Sequence, residues 1–214
     1  MKKIIITIDG PAASGKEKIA KYISKKWNLY HLDTGTLYRQ VAFNFLEKKV
    51  NIKSIKDIKK YLINQNFLTF RQNKKLRTEK ISKLASKIAV FKYIRKYVNN
   101  FQIEFVQKHI KYKGFVIDGR DIGSVVFKNA ELKLYIDVNE ENRAKRRYKQ
   151  LIDSGEKSIY PQILKDIKLR DNKDKSRKHS PLVVPIDAHI IDNNGTFRNT
   201  TKQLNRLILN IKKR

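Results

Sequence analysis

Apolar residues open the chain in a block: isoleucine at 4, 5, 6 and 8, interrupted only by Thr7 and ended by Asp9. An unbroken β-branched run of this length is what a strand buried on both faces of a parallel sheet requires. Residues 9–15 hold two glycines and a proline and read as a loop, after which Ile19, Ile23 and Trp27 recur at helical spacing. The pattern then predicts a short strand at 30–33 and a helix at 37–46. Residues 50–80 are rich in lysine and asparagine and supply one short strand pattern, at 67–70. From 79 to about 111 an amphipathic helix runs through Leu84, Ile88, Phe91, Ile94, Val98 and Phe105. Buried strands follow at 115–117 and 132–136, charged helices at 140–151 and 160–174, a last strand at 189–191 and a closing helix at 197–211. Strands alternating with helices predict an α/β fold: a parallel sheet wrapped by helices, with ligands at the strands' C-terminal ends.

Composition narrows this modestly. The 214 residues suit one α/β domain, and 40% hydrophobic content is ample for its core. With no cysteine there is no disulfide framework, thiolate metal site or cysteine nucleophile. After Met1, Lys2 and Lys3 the apolar run is too short for a secretory signal, which needs about 7–15 residues. No segment approaches the roughly 20 apolar residues of a membrane helix. The expectation is an unexported, cytoplasmic protein.

The charge is unusual, at +29 from 49 basic and 20 acidic residues. A basic domain attracts nucleic acid. Here, however, pairs such as Lys59-Lys60, Lys74-Lys75 and Lys212-Lys213 are scattered rather than focused among aromatics. Lysine-filled solvated faces on a protein with anionic small-molecule substrates account for them better. No specific nucleic acid is expected as a partner.

Gly10, Pro11, Ala12, Ala13, Ser14, Gly15 and Lys16 have the glycine spacing of a P-loop. Such a loop lacks bulky side chains, so its N–H groups can converge on phosphate oxygens. The helix start that follows adds positive potential, and Lys16 reaches the β- and γ-phosphates. The strand before and the helix after are where the motif needs them. One feature departs: the pattern calls next for Ser or Thr to help hold Mg²⁺, and this chain has Glu17 and Lys18. A carboxylate can itself ligate Mg²⁺ and suits the first turn of a helix; it can equally repel triphosphate.

Transfer of a phosphoryl group onto a phosphate needs no general base, because the acceptor oxygen is already anionic. Catalysis is then positioning and charge neutralisation, which calls for several arginines. Arg39 and Arg120 stand at the C-terminal ends of predicted strands.

Six segments, in this order, resemble the bacterial cytidylate kinases, a branch of the nucleoside monophosphate kinases: IDGPAASGK at 8–16, LDTGTLYR at 32–39, SKIAVFKYIR at 86–95, DGRDIGSVVFKNAELK at 118–133, ENRAKRRYKQL at 141–151 and LRDNKDKSRKHSPLVV at 169–184. The resemblance covers nearly the whole chain. It implies a P-loop kinase fold with a five-stranded parallel sheet, ATP as donor, CMP or dCMP as acceptor, Mg²⁺ as cofactor and a monomer. It further implies that Thr34 and Gly35, with Tyr38 and Arg39, receive the monophosphate, and that Ser86, Arg95 and Asp121 read the cytosine edge. A carboxylate accepts from cytosine N4, whereas uracil presents an oxygen there. Arg95 and Arg120 would also face the acceptor phosphate. Arg170, Asp174 and Arg177 match positions that hold its ribose and phosphate, and Asp118 matches an aspartate near Mg²⁺ and its waters.

By the same resemblance, residues 139–178 form a lid, in which Arg143 and Arg147 close over ATP phosphates. These two read equally as members of an ordinary charged helix, as Asp33 reads equally as a helix cap. The kinase core would comprise 1–49, 81–138 and 179–214. The monophosphate-binding insertion, three-stranded in the family, is left to 50–80, where only 67–70 and 75–77 could supply strands. His31, His109, His179 and His189 lack metal spacing and read as structural or exposed. Two other readings stay open: a nonenzymatic nucleotide binder, motivated by Glu17 and Lys18, and a basic nucleic-acid binder on a kinase fold.

Overall fold

The computed structural model describes residues 3–63, 65–70 and 73–212. Of the lysines noted in the sequence, Lys2 and Lys213 lie outside these residues. The strands are β1 (Ile4–Asp9), β2 (Tyr30–Asp33), β3 (Gly114–Asp118), β4 (Leu132–Asp137) and β5 (His189–Asp192). The α-helices are α1 (Lys16–Trp27), α2 (Thr34–Glu47), α3 (Ile55–Leu62), α4 (Glu79–Ile88), α5 (Lys92–Lys108), α6 (Glu140–Asp153), α7 (Tyr160–Lys175) and α8 (Phe197–Lys212).

The sheet order is β2-β3-β1-β4-β5. β1 runs parallel to both β3 and β4, with Ile8 opposite Asp118 and Asp9 opposite Tyr135. β4 runs parallel to β5, with Asp137 opposite Asp192. The fold class anticipated from the alternating pattern is therefore the one observed. The chain leaves β1, β3, β4 and β5 at the same edge of the sheet, where loops gather on a rigid base.

The chain divides into two compact units, one of residues 1–31 with 113–214 and one of residues 32–112. The core of the first joins Ile6 and Ile8 of β1 and Leu134 and Ile136 of β4 to Ile19 and Ile23 of α1 and Leu204 and Ile208 of α8. Each such side chain taken out of water contributes on the order of 2 kcal/mol. The second unit is helical and closes around Leu37, Val41, Phe45, Ile58, Ile88, Ile94 and Val98. Among the described residues no helix is long and apolar enough to cross a membrane.

Three expectations fail, all in the second unit. Residues 67–70 form no strand. Their backbone is met by one side chain instead: the Gln40 amide donates to Thr69 O at 2.8 Å and accepts from Thr69 N at 2.9 Å, replacing a strand partner. Residues 75–77 belong to a 3₁₀ turn, Lys74–Arg77, started by Asn73. The single helix expected at 79–111 is two. α4 ends at Ile88, and α5 begins at Lys92 after an extended Phe91. No glycine or proline marks the break. Arg95 Nη1 donates to Ala89 O at 3.0 Å and thereby satisfies a carbonyl at the end of α4. Helix α3 was not anticipated, although Ser54 caps it through Asp57 N and Ile58 and Leu62 bury its inner face.

Candidate active site

The P-loop occupies the turn from β1 into α1. Gly10 has φ 150°, and a Cβ there would lie 2.6 Å from Ile136 O. Gly15, the N-cap of α1, has φ 88°, and a Cβ there would meet Asn193 Nδ2 at 2.7 Å. Both positions therefore demand glycine on conformation and on space. Ala13 also adopts a left-handed φ, 56°.

Three loop carbonyls are taken up by side chains. Lys16 Nζ donates to Pro11 O at 2.6 Å and to Ser14 Oγ at 3.0 Å. Arg143 Nη1 donates to Ala12 O at 3.2 Å, and Asn193 Nδ2 to Ser14 O at 2.8 Å. Asn193 is itself held, because Thr200 Oγ1 donates to its Oδ1 at 2.7 Å and Arg146 Nη2 to its carbonyl at 2.6 Å. With these three carbonyls occupied, the loop's N–H groups are left to meet an anion at the start of α1. Burial holds the Lys16 ammonium well below its ordinary pKa, and Arg120 pushes the same way; Asp118 and Asp9 oppose. An anion bound in the loop would act on Lys16 in the same sense as these two carboxylates.

The expected Glu17 and Lys18 belong to the outer face of α1. Glu17 Oε1 accepts from Lys21 at 2.7 Å, and Lys18 Nζ sits 4.2 Å from the centre of the Phe197 ring. Neither carries the hydroxyl that the motif supplies at this point.

The turn after β3 is set by Asp9, at the end of β1. Its carboxylate, wholly buried, accepts from Ile122 N at 2.8 Å and Gly123 N at 2.7 Å. Burial pushes its pKa up to about 6, against the lowering effect of those two bonds. A short π-helix, Ile122–Val126, starts there. Asp121, 4% exposed, immediately precedes it. Asp118 closes β3 and pairs with His31 Nε2 at 2.6 Å.

Arg120, Asp174 and Arg177 form one cluster. Arg120 Nε donates to Asp174 Oδ2 at 3.3 Å, and Arg177 Nη1 lies 3.6 Å from Asp174 Oδ1. Arg177 stands two residues beyond α7 and reaches the same carboxylate. Arg170, half-buried near the end of α7, adds to the positive field on Lys16.

Arg143 and Arg147 differ sharply. Arg143 is 3% exposed, pairs with Asp171 at 2.5 Å and donates to Val138 O at 3.0 Å. It is a buried support beneath the P-loop. Arg147 makes a local bond to Gln150 at 3.0 Å on α6.

In the second unit, Asp33 caps α2 by accepting from Thr36 N at 3.3 Å and Thr36 Oγ1 at 2.7 Å. Arg39 Nη2 donates to Asp33 at 2.7 Å and to Thr36 Oγ1 at 2.8 Å, and its Nη1 lies 3.1 Å from where a Gly35 Cβ would sit. The guanidinium is thus fixed over the first turn of α2, beside buried Thr34. Arg95, 4% exposed, stands 5.6 Å from the centre of the Tyr38 ring, and Ser86 lies half-buried on α4. The site residues read from the sequence accordingly divide: Thr34, Gly35, Tyr38, Arg39, Ser86 and Arg95 belong to the second unit and the others to the first.

Asp9, Arg146, Asp171 and Asn193 were not singled out in the sequence, and His31 was read there only as structural or exposed. Asp9 was in view, directly before the first P-loop glycine. Nothing local marks the other four, whose roles depend on contacts between distant segments.

Two solved structures share the fold over the full chain at low identity. A Thermus thermophilus protein matches with TM-score 0.53 and 15% identity, covering 98% of each chain. An uncharacterized Eubacterium ventriosum protein matches with TM-score 0.53 and 17% identity, covering all of both. Sequence relatives are far closer. The cytidylate kinase of Fusobacterium nucleatum is 39% identical over 202 residues, 90% of each chain. That of Bartonella tribocorum is 40% identical over 192 residues, 90% of this chain and 87% of its own. The cytidylate kinase family model matches residues 6–213. On that match, and on the phosphate-binding loop that opens it, the chain belongs to the cytidylate kinase family.

Proposed function

We propose that the protein transfers the γ-phosphoryl group of ATP to CMP or dCMP, giving ADP and CDP or dCDP. The supporting observation is the loop of residues 10–15, three of its carbonyls occupied by Lys16, Arg143 and Asn193 and its lysine buried, in a chain whose relatives are named cytidylate kinases. Lys16 neutralises donor phosphate charge, and Arg39, Arg120 and Arg177 serve the transferring group and acceptor. Asp121, Ser86 and Arg95 select the base. Arg143 acts from beneath, keeping the loop in shape.

The donor set fits Mg²⁺ carried in with the nucleotide. Mg²⁺ keeps several waters and takes one or two carboxylates together with substrate phosphates. The side chain suited to that role is Asp118, through water; Glu17 is engaged with Lys21. Among the described residues no group of three or more His, Cys, Asp or Glu could form an all-protein cage. When bound, the ion neutralises charge on the β- and γ-phosphates.

Purified protein is given Mg-ATP with CMP, dCMP, UMP or AMP, and ADP release is followed. Turnover strongest with the cytidine nucleotides is expected. A second reading, a nonenzymatic nucleotide binder, is favoured by the outward engagement of Glu17 and Lys18. Nucleotide binding without turnover on any acceptor would establish it. We further propose a cytoplasmic monomer with no specific nucleic-acid partner.

A further inference from the structure

We infer that His31 is a positioning residue for the donor-side metal, holding the Asp118 carboxylate in the orientation that meets the hydration shell of Mg²⁺. The inference rests on the proposed phosphotransfer for its catalytic meaning, though not for its geometry.

The contact is short, 2.6 Å between His31 Nε2 and Asp118 Oδ1, and largely desolvated, with side chains 13% and 9% exposed. A hydrogen bond to an ionised group in such surroundings is stronger than one in water. An ionised carboxylate only accepts, so Nε2 carries the proton in this pairing. Both residues sit on strands, His31 within β2 and Asp118 at the end of β3, and β2 and β3 are neighbours in the sheet. The backbone on each side is therefore fixed, and the imidazole holds one oxygen of the carboxylate.

That orientation matters more here because the P-loop carries no hydroxyl at 17 or 18, so the hold on the metal shifts toward Asp118. Asp118 ends β3 opposite Ile8 of the parallel β1, and so stands at the sheet edge from which the P-loop departs. Partners that orient a metal-facing ligand in this way typically change metal affinity or activity by about 10–100-fold when removed.

The test uses the full chain with a non-hydrolysable ATP analogue and Mn²⁺ as the spectroscopic stand-in for Mg²⁺. Free Mn²⁺ is measured by electron paramagnetic resonance for wild type, His31→Phe, which fills the space without a donor, and His31→Gln, whose amide reaches the Nε2 position. The expected result is Mn²⁺ binding weakened about tenfold in the Phe variant and largely restored in the Gln variant. Binding of the metal-free analogue should stay within about twofold, as should the KM for CMP, while kcat falls. A structural pin alone would weaken metal-free nucleotide binding and leave the Mn²⁺ step untouched.

Wild-type Mn²⁺ affinity in the Phe variant overturns the inference, as does a Gln variant no better than Phe. If the Phe variant does not fold, Gln is compared with His31→Asn, whose shorter amide falls near the Nδ1 position; equal Mn²⁺ affinity in the two would overturn it. Absence of turnover in the wild type would sink the proposed function, and the Mn²⁺ titration would still decide the role of His31.

Discussion

Arg143 and Asp171 pair at 2.5 Å with side chains 3% and 2% exposed, joining α6 to α7 directly beneath the P-loop. A desolvated pair of this kind contributes less than its Coulomb energy suggests, but removing one partner strands the other charge. Asp171→Ala is expected to lower unfolding free energy by about 3–5 kcal/mol in urea titrations. ATP affinity should fall with it, because Arg143 also holds Ala12 O. An apolar double replacement, Arg143→Met with Asp171→Leu, should recover most of the stability but not the ATP affinity. Full recovery of both would show that Arg143 does nothing for the loop.

Asp9 introduces a pH dependence of unusual sign. Its folded pKa, about 6, lies above the ordinary carboxylate value because of burial. The folded state therefore holds this proton more tightly than the unfolded chain does, and stability falls as pH rises from about 4 to about 6. The full swing is on the order of 2–3 kcal/mol. Asn at this position cannot titrate. Urea unfolding of wild type and Asp9→Asn at pH 4 to 7 should show the variant gaining on wild type across that window, and a constant difference would refute the assignment.

Restoring the hydroxyls at the P-loop, as Glu17→Ser with Lys18→Thr, is expected to raise kcat and strengthen Mg²⁺ dependence. The stability change should be small, because the Glu17–Lys21 pair is exposed and spaced i,i+4, worth about 0.3–0.5 kcal/mol. Steady-state rates across a Mg²⁺ series check this. An unchanged or lower kcat would mean the native loop is already complete.

Asp121 should decide between cytosine and uracil. Asp121→Ala is expected to lower the ratio of kcat/KM for CMP over UMP at least about tenfold, in line with the roughly 1–3 kcal/mol of a good base-edge contact. The ratio cancels any loss of folded protein. A preserved ratio would assign base choice elsewhere, with Arg95 and Ser86 the next residues to vary.

Local signals carried the reading where the chemistry itself is local. A β-branched run, two glycines with left-handed torsions and a helix start lie within consecutive residues, so β1, the P-loop and α1 were legible. The capping role open to Asp33 was likewise legible, since it is met within one helical turn, at Thr36. Helix α3 could have been found: Ser54 with Asp57 is a cap signal, and Ile58 and Leu62 have helical spacing. The division of α4 from α5 could not, because the apolar period continues through Phe91 and the break depends on Arg95 reaching back to Ala89.

The amino-acid sequence by itself determined the family, the parallel α/β architecture and the phosphate-binding loop, because each rests on motifs and periodicities short in span, read in their order along the chain. Tertiary structure alone decided which charges are spent on structure. Arg143, read equally as a lid arginine over phosphate and as part of an ordinary charged helix, is buried against Asp171. His31, read only as structural or exposed, meets Asp118 across 87 positions of chain. Asn193 clasps Ser14 from 179 positions away. Such pairings depend on which strand edges and helix ends the packed core brings together, and no spacing along the chain records that.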